Sequence, residues 1–182
     1  MTSSSSKNAL TISNPPFLVD GSDAEFRVLV NRLLYFSARL LAVRDGFGTI
    51  IGLTGIQYSI LMSIRRLSED GEVTVNQLAD HLNLSGSFIT IESGKLQARG
   101  LLDKTRHSVD GRKIILSITK EGKKLLTTLA PTQQAINDIL FQKLNAQEFK
   151  TLCSISERLV ANSDAATLEL SHLVSKRALD EV

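Results

Sequence analysis

The residues that can do chemistry in this sequence fall in two short runs. The first holds Ser85, Ser87, Thr90, Ile91, Gly94 and Lys95. The second reads Arg106-His107-Ser108-Val109-Asp110-Gly111-Arg112-Lys113. Small hydroxyl side chains donate and accept hydrogen bonds, so on an exposed helix they suit base edges and phosphates. Ile91 can touch a thymine methyl, and Lys95 can reach guanine or phosphate. Arg106 and Arg112 suit phosphates or a minor groove, with His107, Asp110 and Lys113 beside them. Between Val75 and Lys124 nine Lys/Arg stand against five Asp/Glu, a balance of +4, whereas the whole chain carries +2. The remainder is slightly acidic, so the positive charge is local, as a DNA footprint requires. A solvated, mildly basic surface has the same balance, so charge alone does not decide.

These residues need a scaffold that turns them outward. Leu78, Ala79 and Leu82 share one face of a helix predicted over Val75 to Leu82. Asn83 and Leu84 make a turn, and Ser85 is a favoured cap for the next helix. Phe88, Ile89, Glu92 and Leu96 follow at helical spacing, Glu92 interrupting an otherwise apolar stripe. Arg99-Gly100 closes this helix, with Gly100 left-handed after a basic last turn. The period then changes. Leu101–Thr105 and Lys113–Ile118 read as strands, and Asp110-Gly111 reads as the turn between them, glycine taking positive φ. Val73-Thr74 adds a short third strand. The fold class is mainly α with a small β-hairpin wing, a winged helix-turn-helix.

The segment resembles the MarR family of transcriptional regulators. Leu53-Thr54-x-x-Gln57 resembles the family's entry into its second helix. Leu84-Ser85 followed by Thr90, Lys95, Leu96, Arg99, Gly100 and Leu101 resembles its recognition helix. Asp110-x-Arg112-x-x-x-Leu116-x-Ile118-Thr119 resembles its wing, with Ile118 where leucine is usual, and Lys120-Glu121-Gly122 follows as in the family. The likeness covers roughly residues 53–126 by motif. It implies a homodimer on an inverted-repeat operator in double-stranded DNA, usually as a repressor relieved by a small ligand. Ile91 stands where arginine is frequent, Gly94 where aspartate is, and Glu92 where an apolar residue is. A less basic recognition helix leans more on the wing and on DNA shape.

A second stripe on the first helix runs Val28, Arg32, Tyr35, Phe36, Arg39. A guanidinium matches a carboxylate and stacks on rings, so Arg32, Tyr35 and Arg39 are candidates for an aromatic carboxylate, with Tyr58 as a possible pocket residue. The same arginines fit inter-subunit salt bridges or a solvated face, and Tyr58 fits helix packing equally. Enzyme signatures are absent: no HExxH, CxxC, phosphate loop or nucleophile elbow. His81, His107 and His172 are scattered, so neither a metal nor a cofactor is expected. The single Cys153 excludes an internal disulfide and fits a reducing cytoplasm. It reads as a small buried hydrophobe, with redox sensing as the alternative. A winged helix that binds protein rather than DNA is the other alternative, against which the Ser/Thr-rich face and local charge argue.

The chain divides by pattern into a flexible tail (1–20), an N-terminal dimerisation helix and loop (21–52), the winged module (53–124) and C-terminal dimerisation helices (125–182). The Ser-rich start has no apolar core for a secretory signal. No apolar run approaches the roughly 20 residues that span a bilayer, so no membrane partner is expected. A helix is expected from Asp23 to about Val43, capped by Ser22 or Asp23 and apolar on more than one side. Three glycines predict a loop over residues 44–52. Thr54 and Gln57 have capping-box spacing at the start of the next helix, with Ile56, Ile60, Ile64 and Leu67 inward. Pro131 predicts a kink or break in a helix over residues 119–144. Asn145 and Glu148 cap a last helix, with Phe149, Leu152, Ile155, Leu159, Leu168 and Val174 as core candidates and a break near Asn162. Such long terminal helices call for a second chain.

Overall fold

A computed structural model describes residues 9–180. After a 3-10 turn at Pro15–Phe17 come α1 (Ala24–Ile50), α2 (Gly55–Leu67), β1 (Val73–Thr74), α3 (Val75–Leu82) and α4 (Gly86–Ala98). Then follow β2 (Leu102–Arg106), β3 (Ile114–Ile118), α5 (Lys120–Phe141) and α6 (Ala146–Asp180). The sheet is antiparallel in the order β1-β3-β2, with Val73 opposite Leu116 and Leu102 opposite Ile118. Val73-Thr74 does supply the third strand.

The chain divides after Gln133, within α5, into two units. In the first, α2 is the centre. Its Tyr58, Ile60, Leu61 and Ile64 are buried with Leu78 of α3, Ile89 and Leu96 of α4, and Leu126 and Leu129 of α5. Burying a Leu or Ile side chain contributes roughly 1.5–3 kcal/mol. Helix starts are capped as their sequences require. Thr54 with Gln57 and Thr74 with Gln77 form capping boxes, and Ser85 accepts the Phe88 N–H at 3.2 Å. Gly100 takes φ +69° after α4.

Three expectations for this unit need correction. Residues 44–50 are not loop but the last two turns of α1. A β-carbon on Gly48 would lie 2.8 Å from the Thr54 carbonyl oxygen, and one on Gly55 would overlap Asp45. These glycines let α1 and α2 meet closely, and the chain turns only at Gly52, at φ +69°. Of the two cap candidates, Ser22 accepts the Ala24 N–H at 3.3 Å on its hydroxyl, whereas Asp23 does not cap α1 with its side chain. The carboxylate instead accepts the Thr11 N–H (2.7 Å) and hydroxyl (2.6 Å) and pairs with Arg27. The Thr11 bonds hold its carboxyl below the usual range although its burial works the other way. Thr11 is therefore anchored inside the expected tail, whose residues 1–8 lie outside those described. The apolar faces of α1 are open in the single chain, where only Phe47 and Gly48 of this helix are buried.

The second unit is mostly α6. Asn145 Oδ1 accepts the Glu148 N–H at 2.9 Å, and Glu148 returns the bond to Asn145 N–H at 2.9 Å, as the spacing predicts. The helix then runs unbroken through Asn162, and α5 likewise runs through Pro131 without a break. The six core candidates of α6 are all exposed, Phe149 at 57% and Leu168 at 60%. Cys153 is exposed as well. No single helix among the described residues is long and apolar enough to cross a membrane.

Candidate nucleic-acid interface

The helix-turn-helix is set by one left-handed residue. Asn83 takes φ +52°, which short polar side chains tolerate, and the Leu84 N–H bonds the Ala79 carbonyl at 2.9 Å. This fixes α4 with Ile89, Glu92, Ser93 and Leu96 inward. Ser85, Ser87, Thr90, Ile91 and Lys95 are all exposed, and Ile91 stands 57% open to solvent. Phe88 departs from the expected inner face, because it is 38% exposed at the edge of the outer surface. The Ser85 and Ser87 hydroxyls are 3.1 Å apart, and the Thr90 hydroxyl donates to the Gly86 carbonyl at 2.8 Å. Each keeps acceptor capacity for an outside donor.

The wing is built differently from its sequence reading. Gly111 has no positive φ; side chains shape the turn instead. His107 Nδ1 accepts the N–H groups of Val109 (3.1 Å) and Asp110 (3.0 Å), and its Nε2 lies 3.5 Å from Glu72. Asp110 accepts the Arg112 N–H at 3.2 Å and its Nε at 3.3 Å. His107 and Asp110, expected as contact residues, thus serve first as the internal frame of the wing. Arg106 and Lys113 are exposed at its flanks, and the Arg112 side chain is 93% exposed. Gly86 and Thr90 of α4 share a crevice of about 500 Å³ with Arg112 and Lys113 of the wing. The two runs that the sequence separates therefore meet at Thr90, Arg112 and Lys113.

Three supports of this surface escaped sequence reasoning. Lys104 of β2 donates to the Thr90 carbonyl at 2.9 Å, crossing α4 beside Gly94. Desolvation lowers its pKa. Arg99 donates to the Gly52 carbonyl at 2.7 Å. Glu92, buried, accepts from Gln57 Nε2 at 3.1 Å and from Lys95 Nζ at 2.6 Å. The Lys95 bond is the main cause that keeps the Glu92 carboxyl below its usual range, Gln57 adding to it against desolvation. Only the polar residue in an apolar stripe signalled this in advance. Gly122 also has its reason: a β-carbon there would overlap the Leu101 carbonyl oxygen where α5 begins.

The four ligand candidates do not converge in the chain. Arg39 stacks on the Tyr35 ring, 3.3 Å from its centroid, and donates to its hydroxyl. Arg32 lines a groove with Phe17 and Phe26. Tyr58 is buried elsewhere, its ring 5.8 Å from that of Phe47 and 5.2 Å from the Arg44 guanidinium, and its hydroxyl accepts from Gln133 at 2.6 Å. Burial raises the Tyr58 pKa. Among the described residues no cluster of His, Cys, Asp and Glu could hold a metal ion.

Residues 51–113, from the α1–α2 turn to the base of β3, match the MarR family model. That segment is of the MarR family. Among its relatives, the uncharacterized HTH-type transcriptional regulator YwhA of Bacillus subtilis is 24% identical over 96 residues, covering 53% of this chain and 69% of YwhA. The HTH-type transcriptional repressor MdtR of the same organism is 25% identical over 108 residues, covering 59% and 68%. The MarR transcription regulator from Oenococcus oeni superposes with a TM-score of 0.58 at 25% identity, covering 72% of this chain and 98% of that one. A mutant Escherichia coli MarR complexed with operator DNA shares the fold, with a TM-score of 0.61 at 18% identity, covering 74% and 95%. Its relatives are named as transcriptional regulators, and the matched segment is the helix-turn-helix of such a regulator.

Proposed function

We propose that this MarR-family protein is a homodimeric, sequence-specific repressor that binds an inverted-repeat operator and is released by a small ligand. The observation that carries the DNA reading is the shared surface of Thr90 on α4 with Arg112 and Lys113 on the wing. Ser85, Ser87, Thr90 and Ile91 would read base edges, with Lys95 on base or phosphate. Arg106, Arg112 and Lys113 would hold phosphates or the minor groove. The E. coli relative complexed with operator DNA supports this docking, and the relative named a repressor supports the direction of control. Residues 53–124 form the DNA-binding part in this reading, and 21–52 with 125–182 the dimerisation region, for which the open apolar faces of α1 and α6 speak. Two recognition helices would then meet DNA roughly 34–36 Å apart.

A ligand regulates such a dimer by favouring one spacing of its recognition helices over another. The PcaV regulator of Streptomyces coelicolor, which shares the fold, was solved with its natural ligand. In this chain an aromatic carboxylate would draw on Arg32 and on Arg39, which stacks on Tyr35, along α1, with Tyr58 in a separate cluster beside Arg44.

Fluorescence anisotropy with the DNA upstream of the protein's own gene, across a salt series and against an unrelated duplex, tests the reading. Tight, salt-dependent binding that prefers the upstream DNA is the expected result. Absence of binding to either duplex at low salt would overturn it in favour of a protein-binding module. Release by aromatic acids is expected in the same assay. Peroxide-triggered release that Cys153→Ser abolishes would make the trigger redox instead.

A further inference from the structure

The recognition helix is tied to the turn where α1 becomes α2, and both ties use side chains far away in sequence. Gln57 sits in the first turn of α2, and its amide does two jobs. Its Oε1 accepts the Thr54 N–H at 3.3 Å, closing the capping box, and its Nε2 donates to Glu92 on α4 at 3.1 Å. The helix cap and the recognition helix thus hang on one side chain. Six residues beyond Glu92 on the chain α4 ends, and there Arg99 Nη1 donates to the Gly52 carbonyl at 2.7 Å. Gly52 lies in the turn itself, at φ +69°. The turn has little room to adjust. Gly48 packs against the Thr54 backbone and Gly55 against Asp45, both too closely for a β-carbon.

A buried carboxylate is a costly way to fill a helix interior unless its bonds are satisfied. Glu92 is satisfied on both oxygens, by Gln57 and Lys95. An apolar residue would pack there without those directional bonds, leaving α4 able to slide or rotate against α2. Hydrogen bonds fix direction where apolar contact does not.

We propose that Glu92 is a positioning residue for operator recognition: through Gln57, and together with the Arg99–Gly52 bond, it locks α4 to the α1–α2 turn and so sets the half-site spacing the dimer accepts. The inference rests on the reading of the protein as a homodimer on an inverted repeat. It separates two properties of recognition. Base choice within a half-site belongs to the outer face of α4, and half-site spacing belongs to its inner ties.

The test uses the full-length protein and a duplex isolated from a randomised pool by the wild type. Anisotropy is measured on that duplex and on versions with one base pair inserted or deleted between the half-sites, with thermal melts alongside. The wild type is expected to lose about tenfold or more at the altered spacings. Glu92→Leu is expected to shrink that loss to within about threefold while keeping the base preferences inside each half-site. Arg99→Ala, at an exposed position, is expected to loosen spacing in the same direction. Glu92→Gln can still accept from Gln57 and should keep the wild-type spacing profile. A folded Glu92→Leu protein with an unchanged profile would overturn the proposal. Should that variant not fold, an unchanged profile in Arg99→Ala overturns it equally. If the wild type isolates no duplex, or shows no spacing preference, the homodimer reading itself is what fails.

Discussion

From α2 to the first half of α5 the chain closes its own core, with Ile60, Leu61, Ile64, Leu78, Ile89 and Leu96 all at 0% exposure. Along α6 the opposite holds: none of its described residues is buried, and Phe149, Leu159, Leu168 and Val174 are all half exposed or more. Both stretches are helical and both carry apolar residues at helical spacing. They differ in what completes them. In the winged module α2 meets three helices and a sheet, so each apolar face finds a partner within the chain. At about 25 cal/mol per Å² of apolar surface, the open stripe of α6 represents stabilisation that only another surface can supply. Large exposed apolar patches mark interaction sites for this reason. The module is thus a scaffold complete in itself, whereas the apolar stripe of α6 stays open in the single chain.

The comparison breaks most directly on α6. A Leu152→Asp, Leu159→Asp double variant is expected to convert dimer to monomer and to weaken operator binding about 100-fold or more, because paired half-site binding is lost. Sedimentation and anisotropy measure the two effects, and an unchanged molecular mass would count against α6 as the interface. Next in size is Gly122→Ala inside the module, where a β-carbon would overlap the Leu101 carbonyl oxygen. Overpacking of this kind costs about 1–3 kcal/mol, read as a lower urea midpoint with the dimer mass retained. An unchanged midpoint would mean that the start of α5 yields easily.

The same contrast explains what could be read in the sequence. The caps at Thr54 with Gln57 and at Ser85 were legible, being local signals acting over three residues, whereas Thr74 with Gln77 was read only as strand. The outer face of α4 followed from helical spacing except at Phe88, which was expected inside. The C-terminal part of α1 was misread because Gly46 and Gly48 look like loop residues. The use of Gly48 at a close helix crossing depends on Thr54 and the turn beyond it. The wing turn was misread for a related reason: the signal was sought in Gly111, whereas the shape comes from the His107 and Asp110 side chains. The ties of Glu92 to Gln57, Arg99 to Gly52 and Lys104 to Thr90 span 35, 47 and 14 residues. No local pattern encodes such pairs. The α6 residues were read as apolar core candidates on a helix that calls for a second chain; within the chain they are exposed, because periodicity reports a face and not what covers it.

A smaller effect sharpens the division between α4 and the wing. Arg112→Ala removes a side chain that is 93% exposed and bonded to Asp110. Operator affinity is expected to fall about tenfold, with the slope of log affinity against log salt reduced by about one. The loss should be nearly equal on the cognate and the unrelated duplex, because a phosphate contact carries no sequence information. A loss confined to the cognate duplex would move Arg112 from backbone contact to base reading.

The smallest effect concerns the one buried charge in the helix that would read DNA. Bonds from Lys95 and Gln57 hold the Glu92 carboxyl below its ordinary value of 4.5. A carboxyl whose pKa is depressed by folding contributes stability that is fully present above its unfolded value. That contribution is lost as pH falls through the lower, folded value, where the proton displaces the Lys95 bond. Glu92→Gln has no such proton to gain. The melting temperature of the wild type should therefore exceed that of Glu92→Gln at neutral pH, and the gap should narrow once the pH drops below about 4.5. A gap that stays constant into strong acid would show that the Lys95 pairing adds nothing to stability. Glu92 would then act only through its bond to Gln57.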